Sequence, residues 1–188
     1  MKNLPITPPL SDEMVRTLTA GQQVLLTGTI YTARDAAHKK LIDLIDRGKQ
    51  LPIDLTGQIL YFTGPTPAKP GVPVGSAGPT TSYRMDSYSP RLISQAGLKG
   101  MIGKGDRGSN VIDAMKRYGA VYFAAIGGVG ALIAQCIRRV DIVAYPELGP
   151  EAIHRFDVVE FPLIVAIGAR GDNLYRLGPE QFRKQTGT

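Results

Sequence analysis

The second half of the sequence alternates short apolar segments with segments of helical periodicity, and this alternation restricts the possible folds most strongly. From residue 90 the predicted order is helix, strand, helix, strand, helix and strand, over PRLISQAG, LKGMIG, NVIDAMKRYG, AVYFAAIG, GALIAQCIRRV and DIVAY. Strands that alternate with helices favour parallel pairing, with the helices packed on the sheet. RFDVVEFPLIVAIGARG predicts two further strands. The sequence therefore predicts an α/β fold with a central sheet flanked by helices.

The first half predicts the same kinds of element. Ser11 is placed to cap a short helix over SDEMVRTLTAG, which Gly21 would end. QQVLLTGTIYTAR is rich in β-branched residues and predicts a strand, DAAHKKLIDLIDRGK predicts an amphipathic helix, and QILYFTG predicts a short buried strand. We expect one domain over residues 1–188, in which residues 1–23 form an N-terminal arm with the short helix.

The few cysteines and histidines limit the metal chemistry that this chain can carry by itself. Cys136 is the only cysteine, so an internal disulfide is impossible and the chain cannot hold an iron–sulfur cluster alone, because such clusters need several thiolates. Its place in an apolar helical pattern predicts a core residue and not a nucleophile. His38 and His154 lie too far apart in sequence to indicate a zinc site. We expect no metal or cofactor bound by this chain alone.

The charge pattern favours a small anionic ligand. The net charge is +6, but the lysines and arginines are scattered, and the densest group, HKK, has no interleaved aromatic residues. We therefore predict no nucleic-acid partner. No apolar run reaches the length of a membrane span, and MKNLPITPPLSDEM lacks the apolar core of a secretory signal. We expect a cytoplasmic protein with no membrane partner.

A long loop rich in proline and glycine leads into an unusually polar segment. GPTPAKPGVPVGSAGP, from Gly64 to Pro79, cannot form regular structure. The next residues place the hydroxyls of Thr80, Thr81 and Ser82 close to Arg84 in sequence. Hydroxyls in turns commonly bond to their own backbone, which would account for one or two of them but not for the arginine. A domain linker is the alternative, but the segments that follow favour a functional loop.

Two further cations are predicted where strands end and helices begin. Arg34 lies between a predicted strand and helix, and Lys104 lies between two glycines in MIGKGDRGSN. Side chains at such junctions face the crevice where open α/β sheets bind ligands. A guanidinium can hold a carboxylate with two hydrogen bonds, and a helix N-terminus favours anions. A solvated arginine and a plain strand–helix turn are the simpler alternatives.

AIGGVGALIA is similar to a dinucleotide-binding fingerprint. Gly128 and Gly130 occupy the first two glycine positions, but Ile133 stands at the third. Glu147 lies near the expected distance of the acidic residue, so a non-catalytic dinucleotide-binding module stays open. Close packing of a helix on a strand is the other interpretation.

Five stretches in this order resemble the β subunit of class I fumarase, which corresponds to the C-terminal domain of single-chain iron–sulfur hydro-lyases. They are LTGTIYTARDAAHK, GPTTSYRMDSY, MIGKG, AIGG and YPELGPEAI, and the resemblance extends over roughly residues 25–175. The L-tartrate dehydratase β subunit shares the GPTTS core, whereas RMDSY and YPELGPEAI are more similar to the fumarase side.

This resemblance implies a swivelling β/β/α domain that closes over a four-iron–four-sulfur cluster held by three cysteines of a separate α subunit. It implies that Arg34, Arg84 and Lys104 bind the carboxylates of the substrate. Thr80 matches the proposed catalytic base, and Arg84 would act in catalysis as well as in binding. Thr81 would contact substrate and is the alternative reacting hydroxyl. The sequence does not decide between the two threonines.

The resulting prediction is the β subunit of a class I fumarate hydratase. It would hydrate fumarate reversibly to L-malate only with the fumarase α subunit, which carries the 4Fe-4S cluster, and would self-associate through that assembly. An L(+)-tartrate dehydratase β subunit is the nearest alternative. A docking subunit, whose loop of prolines and glycines binds a partner, is another.

Overall fold

The computed structural model describes residues 3–125 and 130–178, and seven strands of these residues form one sheet. In chain order the strands are β1 (Leu4–Ile6), β2 (Gln23–Thr32), β3 (Ile59–Tyr61), β4 (Gly100–Gly103), β5 (Val121–Ala124), β6 (Ile137–Ala144) and β7 (Ile153–Ile167). The helices are α1 (Asp12–Thr17), α2 (Asp35–Asp46), α3 (Ser89–Ala96), α4 (Ser109–Tyr118) and α5 (Gly130–Gln135), with 3-10 helices at Ser82–Met85 and Pro146–Glu151. No helix in the described ranges is long and apolar enough to cross a membrane.

Strands β2 to β5 pair in parallel, as predicted, and β1 pairs in parallel with β2, whereas β7 runs antiparallel to β2, β5 and β6. Because β7 pairs with both β2 and β5, the strands β2, β3, β4, β5 and β7 form a closed ring. The prediction of parallel strands is therefore wrong for the last two strands. The connection from β6 to β7 is the short segment 145–152, which contains only a 3-10 helix and is too short for a parallel crossover.

Two predicted segments near the C-terminus have different boundaries in the structure. The predicted helix over GALIAQCIRRV ends at Gln135, and its second half belongs to β6. The two strands predicted after residue 154 form the single strand β7, whose first part pairs with β6 and whose last part pairs with β5. Glu160 has a φ of 50° between these two parts. Partner changes of this kind are set by tertiary pairing, so sequence periodicity does not predict them.

The apolar residues of β3, β4 and β5 alternate between two apolar clusters. Ile59, Tyr61 and Phe123 belong to one cluster, which the strands of the ring and α1 enclose. Leu60 and Tyr122 belong to the other, which lies between the sheet and helices α2, α3 and α4. This period-two pattern is the expected result of side chains on opposite faces of a strand. The predicted α/β class is confirmed, with helices packed on a sheet-dominated core, while the single domain over residues 1–188 stays a prediction.

The predicted elements of the first half are present, but α1 ends at Thr17 and not at the predicted Gly21. Ser11 caps α1 by accepting a hydrogen bond from the Met14 amide at 3.1 Å. Strand β2, helix α2 and strand β3 occur where they were predicted, and residues 64–79 form no helix or strand. The N-terminal arm contains one unpredicted element, β1, which extends the sheet by pairing with residues 24–26 of β2.

Candidate functional site

The candidate site lies at the carboxyl ends of the parallel strands β2, β3 and β4. After the long loop, the chain returns to this edge, where the Thr80 amide donates to the Phe62 carbonyl at 2.7 Å. The Ser82 amide donates to the Lys104 carbonyl at 2.9 Å, and Thr81 forms an isolated parallel bridge with Lys104. The polar segment is therefore inserted between the ends of β3 and β4. This brings Thr80, Thr81 and Lys104 together.

The end of the long loop is fixed to β3. The Thr63 hydroxyl donates to the Gly78 carbonyl at 2.7 Å, and the buried Tyr61 hydroxyl donates to the Ala77 carbonyl. Burial also raises the pKa of Tyr61, so its hydroxyl stays a donor. These contacts hold the approach to Thr80 in one place, although the loop has no regular structure.

Both predicted arginines lie at the N-terminus of α2. Arg34 is the residue immediately before the helix, and its Nη2 lies 3.4 Å from Glu151 Oε1. Arg84 Nη2 lies 2.9 Å from Asp35 Oδ2, a close approach of charges that is not aligned as a hydrogen bond. The two guanidinium side chains are 24% and 43% exposed, so solvent reaches both. Asp35 thus connects the segment that carries Arg84 to the helix that follows Arg34.

The structure therefore brings all five predicted site residues to one edge of the sheet. Lys104 is exposed and both threonines are half-buried. Within the described ranges, no side-chain hydrogen bond involves Thr80 Oγ1 or Thr81 Oγ1, and Thr81 does not cap the 3-10 helix that follows it. The edge thus presents cations and hydroxyls that are accessible to a ligand. A groove of about 410 Å³ between the long loop and β6, with Pro65, Val140 and His154 in its lining, is lined by none of the five site residues.

An ion pair that was not predicted, between a fully buried arginine and a partly buried aspartate, supports the candidate site. Arg107, in the loop after Lys104, has a fully buried side chain, and its Nε donates to Asp86 Oδ1 at 2.7 Å. Its Nη2 donates to Ser89 Oγ at 2.7 Å, and its guanidinium lies against the rings of Phe62 and Tyr122. The pair joins the two segments that carry Arg84 and Lys104.

Asp86 also closes the N-terminus of α4. Its Oδ2 accepts a hydrogen bond from the Gly108 amide at 2.6 Å, and its carbonyl accepts one from Asn110 Nδ2 at 3.0 Å. Asp86 lies in GPTTSYRMDSY and Arg107 lies in MIGKGDRGSN. Their position in these motifs was the one sequence signal that could have indicated a role at the site. Their pairing could not be predicted, because the contact forms only after folding.

Two buried hydroxyl groups, those of Tyr122 and Ser82, also fix the polar segment. The Tyr122 hydroxyl donates to the Gly105 carbonyl at 2.9 Å and lies 2.9 Å from Ser82 Oγ. Burial raises the pKa of Tyr122, so the phenol stays protonated. Gly103, the last residue of β4, makes room for Ser82, because a Cβ at this position would overlap Ser82 Oγ and lie 3.2 Å from Phe62 Cδ2.

Replacing Gly103 by alanine should lower the free energy of unfolding by about 1–3 kcal/mol, because the methyl group overpacks the contact with Ser82. Chemical denaturation of this chain measures the change. In the Ser82→Ala background the same substitution should cost clearly less, since the clashing oxygen is gone. Equal costs in both backgrounds would show that the contact with Ser82 is not what requires glycine.

His38 lies in the first turn of α2 and is fully buried. Its Nδ1 lies 2.9 Å from the Arg34 carbonyl oxygen, so Nδ1 carries the proton and donates. Its ring packs edge-on against Phe62, and Nε2 has no hydrogen-bond partner in the described part of the chain. Burial lowers the pKa of His38 to about 4. The ring is therefore neutral at physiological pH and fixes the backbone of Arg34.

This environment predicts a pH dependence of stability. The unfolded chain binds a proton at His38 near pH 6.5, whereas the folded chain resists it down to about pH 4. The stabilisation is therefore complete above pH 6.5 and is lost as the pH falls toward 4, by up to about 1.4 kcal/mol per pH unit. Denaturation of wild-type and His38→Asn chains between pH 7 and 4 should show a smaller decline in the variant. Parallel pH profiles would refute this assignment.

The dinucleotide interpretation does not fit the sheet topology. The strands of a dinucleotide-binding βαβ unit are neighbours in the sheet, whereas β7 lies between β5 and β6 here. Gly128 lies outside the described residues, and Glu147 forms an ion pair with Lys40 at 2.8 Å.

Cys136 follows α5 and is partly buried against the core cluster. No group of three or more histidine, cysteine or acidic residues in the described ranges is placed to hold a metal ion.

Comparison with known proteins agrees with the resemblance of the motifs. The sequence model of the family described as Fumarase C-terminus matches residues 1–178. The chain is 44% identical over 152 residues to "Fumarate hydratase class I, anaerobic" of Escherichia coli (strain K12), a match that covers 80% of this chain and 28% of that protein. It is 38% identical over 156 residues to "Fumarate hydratase 2" of Leishmania major, which covers 82% of this chain and 28% of that protein.

A third relative is similar to this chain in length. "Putative L(+)-tartrate dehydratase subunit beta" of Methanocaldococcus jannaschii is 41% identical over 172 residues, and the match covers 88% of each chain. The chain thus spans 28% of the length of the two fumarate hydratases but most of the length of this subunit. The family match and the subunit-sized relative together show that the chain belongs to the Fumarase C-terminus family, as a region of the class I fumarase β-subunit type.

Proposed function

We propose that this chain is the β subunit of a class I fumarate hydratase, which hydrates fumarate reversibly to L-malate together with an α subunit. The observation that carries the proposal is the convergence of Arg34, Arg84 and Lys104 beside Thr80 and Thr81 at one accessible edge of the sheet. The relatives named fumarate hydratase support the reaction class, and the relative named subunit beta supports a divided enzyme.

The site residues suit an organic dianion and not a cluster. An iron–sulfur cluster is held by several thiolates, whereas this chain has only Cys136, which lies between α5 and β6. We therefore assign the four-iron–four-sulfur cluster to the α subunit. When present there, the cluster would supply a Lewis-acidic iron that binds the substrate. The present chain would supply the groups that hold the substrate carboxylates.

Three cations lie at the proposed site of a substrate that carries two negative charges. Fumarate and L-malate each carry two carboxylates, and a guanidinium can hold a carboxylate with two parallel hydrogen bonds. When a proton leaves the carbon next to a carboxylate, negative charge builds up on that carboxylate. Fixed cations at the site stabilise this charge more than the charge of the ground state, and this difference lowers the barrier. Arg84 is the residue to which we assign both binding and this stabilisation.

We assign the proton transfer to the Thr80 hydroxyl, with Thr81 as the alternative. The backbone of Thr80 is held by the hydrogen bond from its amide to the Phe62 carbonyl and by the Lys104 amide, which donates to the Thr80 carbonyl at 3.4 Å. An ordinary alcohol holds its proton far above neutral pH, so the hydroxyl needs neighbouring positive charge to accept and return a proton. Lys104, whose backbone pairs with that of Thr81, is the cation to which we assign this role.

We also propose a domain motion that involves the same edge. All five site residues lie at the edge formed by the carboxyl ends of the parallel strands, where a second subunit can cover them. We propose that the chain is a swivelling β/β/α domain that closes this edge over the α subunit. We also propose that the chain self-associates within a larger assembly and that the assembly is cytoplasmic.

A tartrate dehydratase β subunit is the second candidate, because the relative of that name matches over 88% of both chains. Anaerobic co-purification of this chain with its α subunit, followed by assays with fumarate, L-malate and L(+)-tartrate, separates the two. We expect fumarate to be hydrated with the higher kcat/KM and tartrate to be a poor substrate. A preference for tartrate would show that the chain is a subunit of a tartrate dehydratase and not of a fumarate hydratase.

A further inference from the structure

Glu151 has no role in the proposed mechanism, although it lies in the segment YPELGPEAI. It is the last residue of the 3-10 helix Pro146–Glu151 and is 27% exposed. Its two carboxylate oxygens contact two different groups. Oε2 accepts a hydrogen bond from the Ala36 amide at 3.0 Å, and Oε1 lies 3.4 Å from Arg34 Nη2. One side chain thus contacts both the first turn of α2 and the arginine that precedes it.

Arg34 is confined by its other contacts. Its guanidinium lies against the backbone at Gly64, where a Cβ would be 2.9 Å from Nη1. Its carbonyl is held by His38, and its side chain does not cap the helix that it precedes. Arg34 Nε is buried and has no hydrogen-bond partner in the described ranges. The guanidinium is therefore held between Gly64 and Glu151 with donors still available.

We propose that Glu151 is a positioning residue that orients the Arg34 guanidinium toward the substrate. This inference rests on the proposed function, in which Arg34 binds a carboxylate. The negative charge of Glu151 fixes one Nη group, and the helix N-terminus fixes Glu151 in turn through Ala36. A neutral amide at this position can still accept from the Ala36 amide, but its own N–H groups would then face the guanidinium and release it.

A simple tether between α2 and the 3-10 helix is the competing explanation, and the chain contains a matched control for it. Lys40 on α2 pairs at 2.8 Å with Glu147 of the same 3-10 helix, and both side chains are exposed. The Glu147→Gln substitution weakens the link between the same two elements without touching Arg34. Effects that come from orienting Arg34 should therefore appear for Glu151→Gln and not for Glu147→Gln.

NMR of the full chain tests the inference without any activity. The Nε–H signal of Arg34, identified by its loss in Arg34→Lys, should exchange slowly with water because this atom is buried. Glu151→Gln should accelerate this exchange about tenfold, whereas Glu147→Gln should change it by less than about twofold. The amide spectrum of each variant shows whether the fold is retained. Unchanged exchange in a folded Glu151→Gln chain would overturn the proposal.

Kinetics of the α–β assembly provide the second readout. Glu151→Gln should lower kcat/KM for fumarate about tenfold, but less than about twofold in an Arg34→Ala background, because the effect acts through Arg34. Glu147→Gln should have little effect in either background. An equal loss in both backgrounds, or an equal loss from Glu147→Gln, would show that Glu151 is only a tether. An inactive wild-type assembly would refute the proposed function, while the NMR result would still decide the role of Glu151.

Discussion

Replacing Arg84 by alanine should lower kcat/KM of the α–β assembly for fumarate by about 100- to 1,000-fold, the usual effect of removing one group that stabilises transition-state charge. Arg84 lies two residues after Ser82, which is fixed to the Lys104 carbonyl, and its guanidinium reaches the N-terminus of α2. Its loss removes a cation from the site and also breaks the partly exposed pair with Asp35. Steady-state kinetics with the purified assembly measure the effect.

Arg91→Ala is the matched control for this experiment. Arg91 on α3 also pairs with an acid on α2, with its Nη1 at 2.7 Å from Asp46 Oδ1, but this pair lies at the other end of the helix. Its removal should change kcat/KM by less than about twofold, since exposed ion pairs contribute little to stability. Comparable losses in Arg84→Ala and Arg91→Ala, or an unchanged rate in Arg84→Ala, would remove Arg84 from the site.

Replacing Arg107 by alanine should lower the free energy of unfolding of the isolated chain by about 3–5 kcal/mol. The substitution leaves the partly buried carboxylate of Asp86 without its charged partner and opens space between Phe62 and Tyr122. Urea denaturation monitored by circular dichroism measures the change. Because Arg107 joins the segments of Arg84 and Lys104, the same variant should also lower activity.

The controls for Arg107 separate its buried pair from ordinary charge removal. Arg139→Ala removes an arginine that is 61% exposed and should change stability by less than about 1 kcal/mol. The double variant Asp86→Ala/Arg107→Ala should cost less than the sum of the two single variants, since no unpaired charge is left behind. Additive costs, or a loss of less than about 1 kcal/mol for Arg107→Ala, would contradict the assigned role of the pair.

Local sequence signals predicted most of the elements but not how the last strands pair. Helix α2 and strand β2 have clear periodicity, and Ser11 marks the start of α1, so these elements could be located from the sequence. The antiparallel direction of β7 and the closure of the ring depend on contacts between distant segments. Such partner choices leave no periodic pattern in either strand.

The candidate site shows the same division. The resemblance to the fumarase family grouped Arg34, Thr80, Arg84 and Lys104 into one site, whereas their positions alone also allowed simpler interpretations. Asp86 and Arg107 are 21 residues apart, and Glu151 is 115 residues from Ala36, so neither contact could be anticipated from spacing. Charged residues in loops are ambiguous in a single sequence, because a solvated charge and a buried pair use the same residue types.

The central claim is that this chain supplies part of a divided active site. Its most direct test is the rate of fumarate hydration, measured anaerobically for a fixed amount of cluster-loaded α subunit as this chain is added. We predict no turnover by the purified chain alone, little by the α subunit alone, and a rate that rises and saturates as the chain is added. Turnover by the metal-free chain alone, or a rate that does not respond to its addition, would contradict the account.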